Sequence, residues 1–545
     1  MTFDGANTFG TFSTMRTSVG DNSRTHITVS NGGFLRAGVL VTSEGANAST
    51  TLAMLAGTYT SSHISTSQGL ESSTSWTLYN ADVTTGNVSL STGGSSSTTM
   101  QLSGTASLTG NGGLRVALGS YSSATFSMAG DSEASFLYLQ TNRVDTTALA
   151  YGTYSSATVL LQDNAKWTIQ TTNADAAIWA QAGSSSAALQ MSGASQATIA
   201  TVYNAFATGI SSSANVSLSG SSSFKTYFHD PSGATTTYDY FTFAHGNYSS
   251  ATLSMADDAT ASISYASVSF AAGSNSKAQI DLSGSASLNI LNTTTLSFAR
   301  GQMSSATISL TDNATLQSDT VTLFAEGANS SVSLSLAGES KVDSAQNVNI
   351  ANASGSAATV TLADNALLTA GTYLYVANGT NSQATLSMTG GTFSTVTVTD
   401  SVGLATGYGS TVSLNQSGGL VESKNSIFVG HRTNSHATWN LSGGSASAVS
   451  VIVGNQGTGT LAMTGGTLAA TTVSLGAVSG AKGFFSMTSG TATLGALNVA
   501  NTAGATGDIS LSGNAKLYVE TLSMAVSNYA VGTFSGQSTT TIGTH

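Results

Sequence analysis

Residues able to do chemistry are few and scattered in this 545-residue chain. Its seven histidines are His26, His63, His229, His245, His431, His436 and His545. Only His431 and His436 lie close together, and no cysteine or carboxylate cluster joins them, so the ligand set of a zinc site is not assembled. The absence of Cys removes thiolate nucleophiles and disulfides. The most tempting set is Asp163, Asp257, Asp312 and Asp364, which could supply paired carboxylates for glycoside hydrolysis or oxygen ligands for calcium. Each, however, occupies a repeat position that other repeats fill with Gly104, Gly130, Gly193, Gly220, Gly284, Gly338 or Gly390. Asp and Gly share a tolerance of tight left-handed turns, and Asp can also bond nearby backbone. A catalytic carboxylate or a calcium ligand cannot be exchanged for Gly, so these aspartates are read as turn residues. The Gly-Gly-x-Gly-x-Asp nonapeptide of calcium-binding β-rolls does not occur.

Composition supports the same exclusion. Charged residues make up 7% of the chain, against roughly a quarter in ordinary soluble domains, so no face gathers Asp, Glu, Arg and Lys as a polysaccharide lyase or hydrolase would need. Ser and Thr take the place of charge, interleaved with small apolar residues and 59 Gly. A disordered chain would lack the regularly placed hydrophobic residues that form 40% of this one. A single Pro, Pro231, fits a backbone whose NH groups are nearly all needed by a hydrogen-bond ladder. The net charge of -11 is spread thinly with no basic stripe, which argues against nucleic acid as a partner. No run of about 18 apolar residues offers a membrane-spanning helix. Met1 to Gly20 lacks a basic start and an apolar centre, so any export signal is expected to have been removed from this sequence. No cofactor is expected.

Stepping along the chain, one pattern recurs: apolar, small, apolar, small, then Gly or Asp. It is clearest in Leu386-Ser387-Met388-Thr389-Gly390-Gly391, Leu461-Ala462-Met463-Thr464-Gly465-Gly466 and Trp439-Asn440-Leu441-Ser442-Gly443-Gly444. Its second apolar residue anchors a series that begins at Val29 and runs from Met54 through Leu78, Leu102, Met128, Leu161 and Met191 to Leu218 and Met255. It continues with Leu282, Leu310, Leu336, Leu362, Met388, Leu414 and Leu441, then Met463, Met487 and Leu511. The Met anchors alternate with Leu, as near-isosteric core filler does. From Leu310 to Leu414 the anchors are spaced evenly, 26 residues apart. A second alternating segment follows many anchors, as in Val268 to Phe270, Leu296 to Phe298, Val321 to Leu323, Leu374 to Val376, Val451 to Val453 and Val473 to Leu475. A third, shorter one fits just after the turn. Three strands and three turns per repeat predict an all-β chain: a single long parallel β-helix, a three-sided β-solenoid of about 19 coils. The expected layout is a strand-like N-terminal segment at 1–28, the solenoid over 29–525, and a strand-like C-terminal segment at 526–545.

The segments Ile427-Phe428-Val429-Gly430 to Gly444 and Val451 to Gly466 resemble the repeats of autotransporter passengers and PEP-CTERM-associated bacterial surface proteins, over roughly Thr380 to Gly513. That resemblance implies a right-handed β-helix outside a bacterial cell, in adhesion or matrix building, with no catalytic residues to transfer. The chain shows neither the family's C-terminal translocator barrel nor its Pro-Glu-Pro sorting signal.

Two regions stand out as contact candidates. Spacings widen between Met128 and Met255, which predicts lateral loops at about 141–156 and 221–245. The second holds the densest aromatic cluster: Phe224, Tyr227, Phe228, Tyr238, Tyr240 and Phe241 are candidates for contact with a glycan or a neighbouring subunit. The other region is the pair of ends. Phe9 and Phe12 near the start, and Val531 and Phe534 near the finish, lie in alternating segments without a charged or helical stop, which predicts end-to-end association of the chain with itself. The segment Thr395-Val396-Thr397-Val398-Thr399 resembles an element of the flat Thr arrays that bind ice. Neighbouring coils place Ser, Ala, Asn or Tyr there, so no regular array is predicted. The expected function is that of an extracellular structural protein forming a surface fibre or matrix. A glycan-binding adhesin is the alternative, and a polysaccharide-active enzyme a more distant one.

Overall fold

The computed structural model describes the chain except for residues 7, 139–146, 172–175, 230–238, 396–400, 526, 528–529, 537–539 and 543–545. Among the described residues there is no helix. Parallel strands stack as a β-solenoid of about 19 turns. Many coils contribute three strands, as in Ser97–Ser103, Ser107–Gly110 and Leu114–Val116, a count compatible with three sides. The chain divides into two compact units, one of Met1–Asp281 with Ala286–Asn289, the other of Leu282–Ser285 with Ile290–His545.

In the first unit the anchors form a column in strict register. Val29 pairs with Met54, Met54 with Leu78, Leu78 with Leu102, and so on through Met128, Leu161, Met191 and Leu218 to Met255. The cause is period-2 alternation: each strand sends its apolar residues inward and its small polar ones outward. Strands within 1–28 belong to the wall. Thr2–Asp4 pairs with Arg24–Ser30, and Phe9–Arg16 with Phe34–Val41.

The first coils also bury hydroxyls, which alternation alone would not suggest. Thr17 bonds Thr50, Thr42 bonds Thr74 and Thr66 bonds Thr98 at 2.8 to 2.9 Å, while Ser43 and Ser67 donate to backbone carbonyls. Each of these Thr and Ser hydroxyls is thus paired, as burial favours. Ser18, Ser43, Ser67 and Ser91 hold positive φ at this corner, and from Ala117 to Ala405 the same place is taken by Ala. There the facing Thr gives way to Ala124, Ala157 and Ala187, so polar pairs are exchanged for apolar ones as a set.

In the second unit the column runs Leu310, Leu336, Leu362, Met388 in register. It then departs from the even spacing. Met388 pairs with Gln416, and Gln416 with Leu441, whereas Leu414 sits one inward position earlier, between Leu386 and Trp439. Leu414 is buried but is not the anchor. Gln416 takes that place because its amide is fully used. Its Nε2 donates to the carbonyls of Gly419 and Ser445, and its Oε1 accepts from Trp439 Nε1 at 3.1 Å. A second slip concerns Val321 to Leu323. In the strand Val321–Phe324 the inward residues are Thr322 and Phe324, so Val321 and Leu323 point outward. Beyond Leu441 the column resumes as Met463, Met487 and Leu511, and the second and third strands merge into long bent strands such as Thr467–Leu475 and Thr491–Val499. Val531–Gly536 pairs in parallel with Thr506–Leu511.

The turn aspartates are built into the stack. Asp163, Asp257, Asp312 and Asp364 all have φ between 56° and 60°. Each Oδ2 accepts a backbone N–H from the coil before, from Gly130, Gly220, Gly284 and Gly338 respectively, at 2.9 to 3.1 Å. Charge-assisted bonds of this type clamp one coil to the next. A second turn carries a Ser whose Oγ donates to the carbonyl three residues back, as Ser212 does to Gly209 and Ser330 to Gly327.

Candidate contact surface

Parts of the two regions expected as loops are wall. Of the first, 141–146 lies outside the described residues, and from Thr147–Leu149 onward the chain pairs with Leu114–Val116. Of the second, Ser223–Phe228 pairs with Gln196–Thr201 and Thr260–Ser264, and Tyr240–Phe243 pairs with Tyr203–Phe206. Residues 229–239 fall between these strands, and of these 230–238, Tyr238 among them, lie outside the described residues.

Alternation then sorts the candidate aromatics. Phe224 and Phe241 point inward and are buried, so neither can contact a partner. Phe241 packs with Phe206, Phe243 and Phe270 at ring separations of 5.6 to 6.3 Å. Tyr227, Phe228 and Tyr240 stay half-exposed. Lys225 Nζ lies 5.1 Å from the centre of the Tyr227 ring, His229 meets that ring edge-on at 6.4 Å, and Gln170 Nε2 lies 3.5 Å from His229 Nε2. On the adjoining strands Tyr203 and Tyr240 are 4.2 Å apart by ring centre, with His245 edge-on to Tyr203 at 6.2 Å. Burial pushes the Tyr203 phenol above its ordinary pKa, with Tyr240 adding to the rise, so it stays a neutral donor.

The wall beneath this patch is held by a buried polar chain. Trp179 Nε1 donates to Asn204 Oδ1 at 3.2 Å, Asn204 Nδ2 donates to Thr226 Oγ1 at 3.0 Å, and the Tyr265 hydroxyl bonds both Thr226 and Thr201 at 2.9 and 3.0 Å. Such a network fixes which strand lies beside which. Nothing in the alternation pattern marks it.

At the ends, Phe9, Val531 and Phe534 are exposed and Phe12 is half-buried, with the Phe9 ring 6.1 Å from Phe34. Exposed tyrosines at one recurring turn position went unread in the sequence. Tyr121, Tyr154 and Tyr248 stand exposed at φ of 57° to 58°, and Tyr121 stacks on Tyr154 at 5.0 Å. The signal was present as Gly-x-Tyr-Ser in Gly119 to Ser122, Gly152 to Ser155 and Gly246 to Ser249. In the second unit a shallow groove of about 480 Å³ crosses the bent strands, between Ser447 and Glu520. No group of three His, Asp or Glu side chains able to hold a metal ion occurs among the described residues. No helix among them is long and apolar enough to cross a membrane. The chain matches no protein-family model, no curated protein and no solved structure.

Proposed function

We propose that this chain is a non-enzymatic structural protein of a bacterial cell surface, a solenoid scaffold that associates with copies of itself into a fibre or matrix. The observation that carries this reading is the fate of its carboxylates. Asp163, Asp257, Asp312 and Asp364, the residues best suited to chemistry, each clamp a backbone N–H of the coil before. Groups committed to holding coils together serve a wall, not a reaction. The family resemblance around Ile427 to Gly466 supports a place outside the cell. Sedimentation velocity of the purified chain over a concentration series tests the association. A product released from polysaccharide, peptide or ester substrates in amounts that depend on a named Asp or His would overturn the non-enzymatic reading.

A second reading, a glycan-binding adhesin, is favoured by the patch of Lys225, Tyr227, Tyr203 and Tyr240. Aromatic faces beside cationic and amide donors suit sugar rings with their apolar faces and hydroxyl rims. A glycan array read with wild type and Tyr227→Ala separates it from the purely architectural role.

A further inference from the structure

One outer face of the first unit is free of charge over eight successive strands, from Ser49–Leu55 through Ser123–Met128 to Ser250–Met255. Each of these strands begins with an outward Ser, and across the face Ser and Thr are the commonest of the other outward residues, among them Thr51, Thr99, Thr125, Thr158 and Thr252, beside uncharged residues such as Leu55, Tyr79, Gln101 and Gln190. None is Lys, Arg, Asp or Glu. The strand before this run, Arg24–Ser30, turns Arg24 and His26 outward, and the other sheet of the same unit exposes Arg36, Glu133, Lys166 and Lys225. Charge is therefore kept off one face while its neighbours carry it.

We infer that this hydroxyl face is where a second copy of the chain docks, side against side. The inference rests on the self-association proposed above and assigns it a surface. Interface centres are depleted of charge because a buried unpaired charge is costly. A face bearing one sign of charge cannot meet its own copy across a two-fold axis, whereas a hydroxyl both donates and accepts and so complements itself. At roughly 4.8 Å per strand and 3.3 Å per residue, the face measures on the order of 650 Å². A standard interface takes about 800 Å² per partner, so pairing by this face is reversible and depends on concentration. Ala53, Gln101, Leu160, Ala188, Gln190 and Asn215 interrupt the rows, which disfavours an ordered lattice as the occupant.

The test places like charges on the face. Thr125 and Thr158 are register neighbours there, and Thr168 and Thr198 are register neighbours on the other sheet. Sedimentation velocity compares wild type, T125E/T158E, T125K/T158K and the control T168E/T198E, each checked for folded circular dichroism. Wild type and control should associate in the micromolar range, more so as salt rises from 10 to about 150 mM and screens the net charge of -11. Each face variant alone should associate at least tenfold more weakly, and an equal mixture of the Glu and Lys variants should recover. Association of the face variants equal to that of the control would overturn the assigned face while leaving self-association intact. Single particles for every protein, wild type included, would overturn both, and retention of such a protein on an insoluble polysaccharide would name the other kind of partner.

Discussion

Removing the Gln416 side chain should cost stability in a way that its partner Trp439 decides. Gln416 lies almost fully buried in the apolar column between Met388 and Leu441, and the Trp439 ring beside it has no exposure. Gln416→Leu keeps the volume and adds apolar burial worth about 1.5 kcal/mol, but it deletes three hydrogen bonds and strands the indole N–H. At about 1 kcal/mol for each of the two bonds to carbonyls, with the orphaned indole donor costing about 1 to 3 kcal/mol, the net loss after the gain in apolar burial is about 2 kcal/mol. Trp439→Phe leaves the amide oxygen without its donor and loses some volume, again about 2 kcal/mol. In the double variant the polar donor and its acceptor are both gone, so the cost should stay near 2 instead of reaching about 4 kcal/mol, a coupling of about 2 kcal/mol. Coils of a solenoid open locally, so the assay is native-state hydrogen exchange of the amides in His436–Leu441 and its neighbours. Costs that add to within about 0.5 kcal/mol would refute the claim that Gln416 is held in the column by Trp439.

Leu362→Asp, which buries a carboxylate between Leu336 and Met388, should cost roughly 4 kcal/mol or more, seen as lost exchange protection confined to those coils. Asp364 holds φ of 56°, so Asp364→Ala should be less stable than Asp364→Gly by about 1 kcal/mol, although both lose the bond to Gly338, and thermal or urea unfolding of the pair checks the order. His431, packed edge-on to Phe428 with Asn455 Nδ2 near its Nδ1, is pushed down to about 4 by burial and, secondarily, by Arg432. Below its ordinary value near 6.5 the unfolded chain takes up the proton first. Stability of its coils is thus full above pH 6.5 and lost as pH falls towards 4, and exchange measured across that window should flatten in His431→Asn.

The fold was legible because one signal, alternation of apolar and small residues, repeats through the chain and fixes which residues face inward. Val29, Met54 and even Leu78 fall in the column for that reason. The places where reading failed share a cause: polar residues that are inside. Gln416 hid the true spacing because a buried amide looks like a surface residue in sequence, so Leu414 took its place. Thr322 inside, with Val321 and Leu323 outside, reversed the expected phase of that strand. The same blindness applied to the Thr17 and Thr50 pair and to the chain of Asn204, Thr226 and Tyr265. Among the contact candidates, aromatic content drew attention to Phe224 and Phe241, but content carries no phase, and the strands turned both rings inward. The hydroxyl face escaped notice because its property is the absence of charge across eight coils, visible only once the register aligns them.

Electron microscopy of the purified full chain tests the central claim of a self-associating scaffold most directly. Above micromolar concentration in about 150 mM salt, side-by-side bundles or filaments are expected, and they should disperse for T125E/T158E but not for T168E/T198E. Isolated single particles of the wild-type chain at every concentration would contradict the claim.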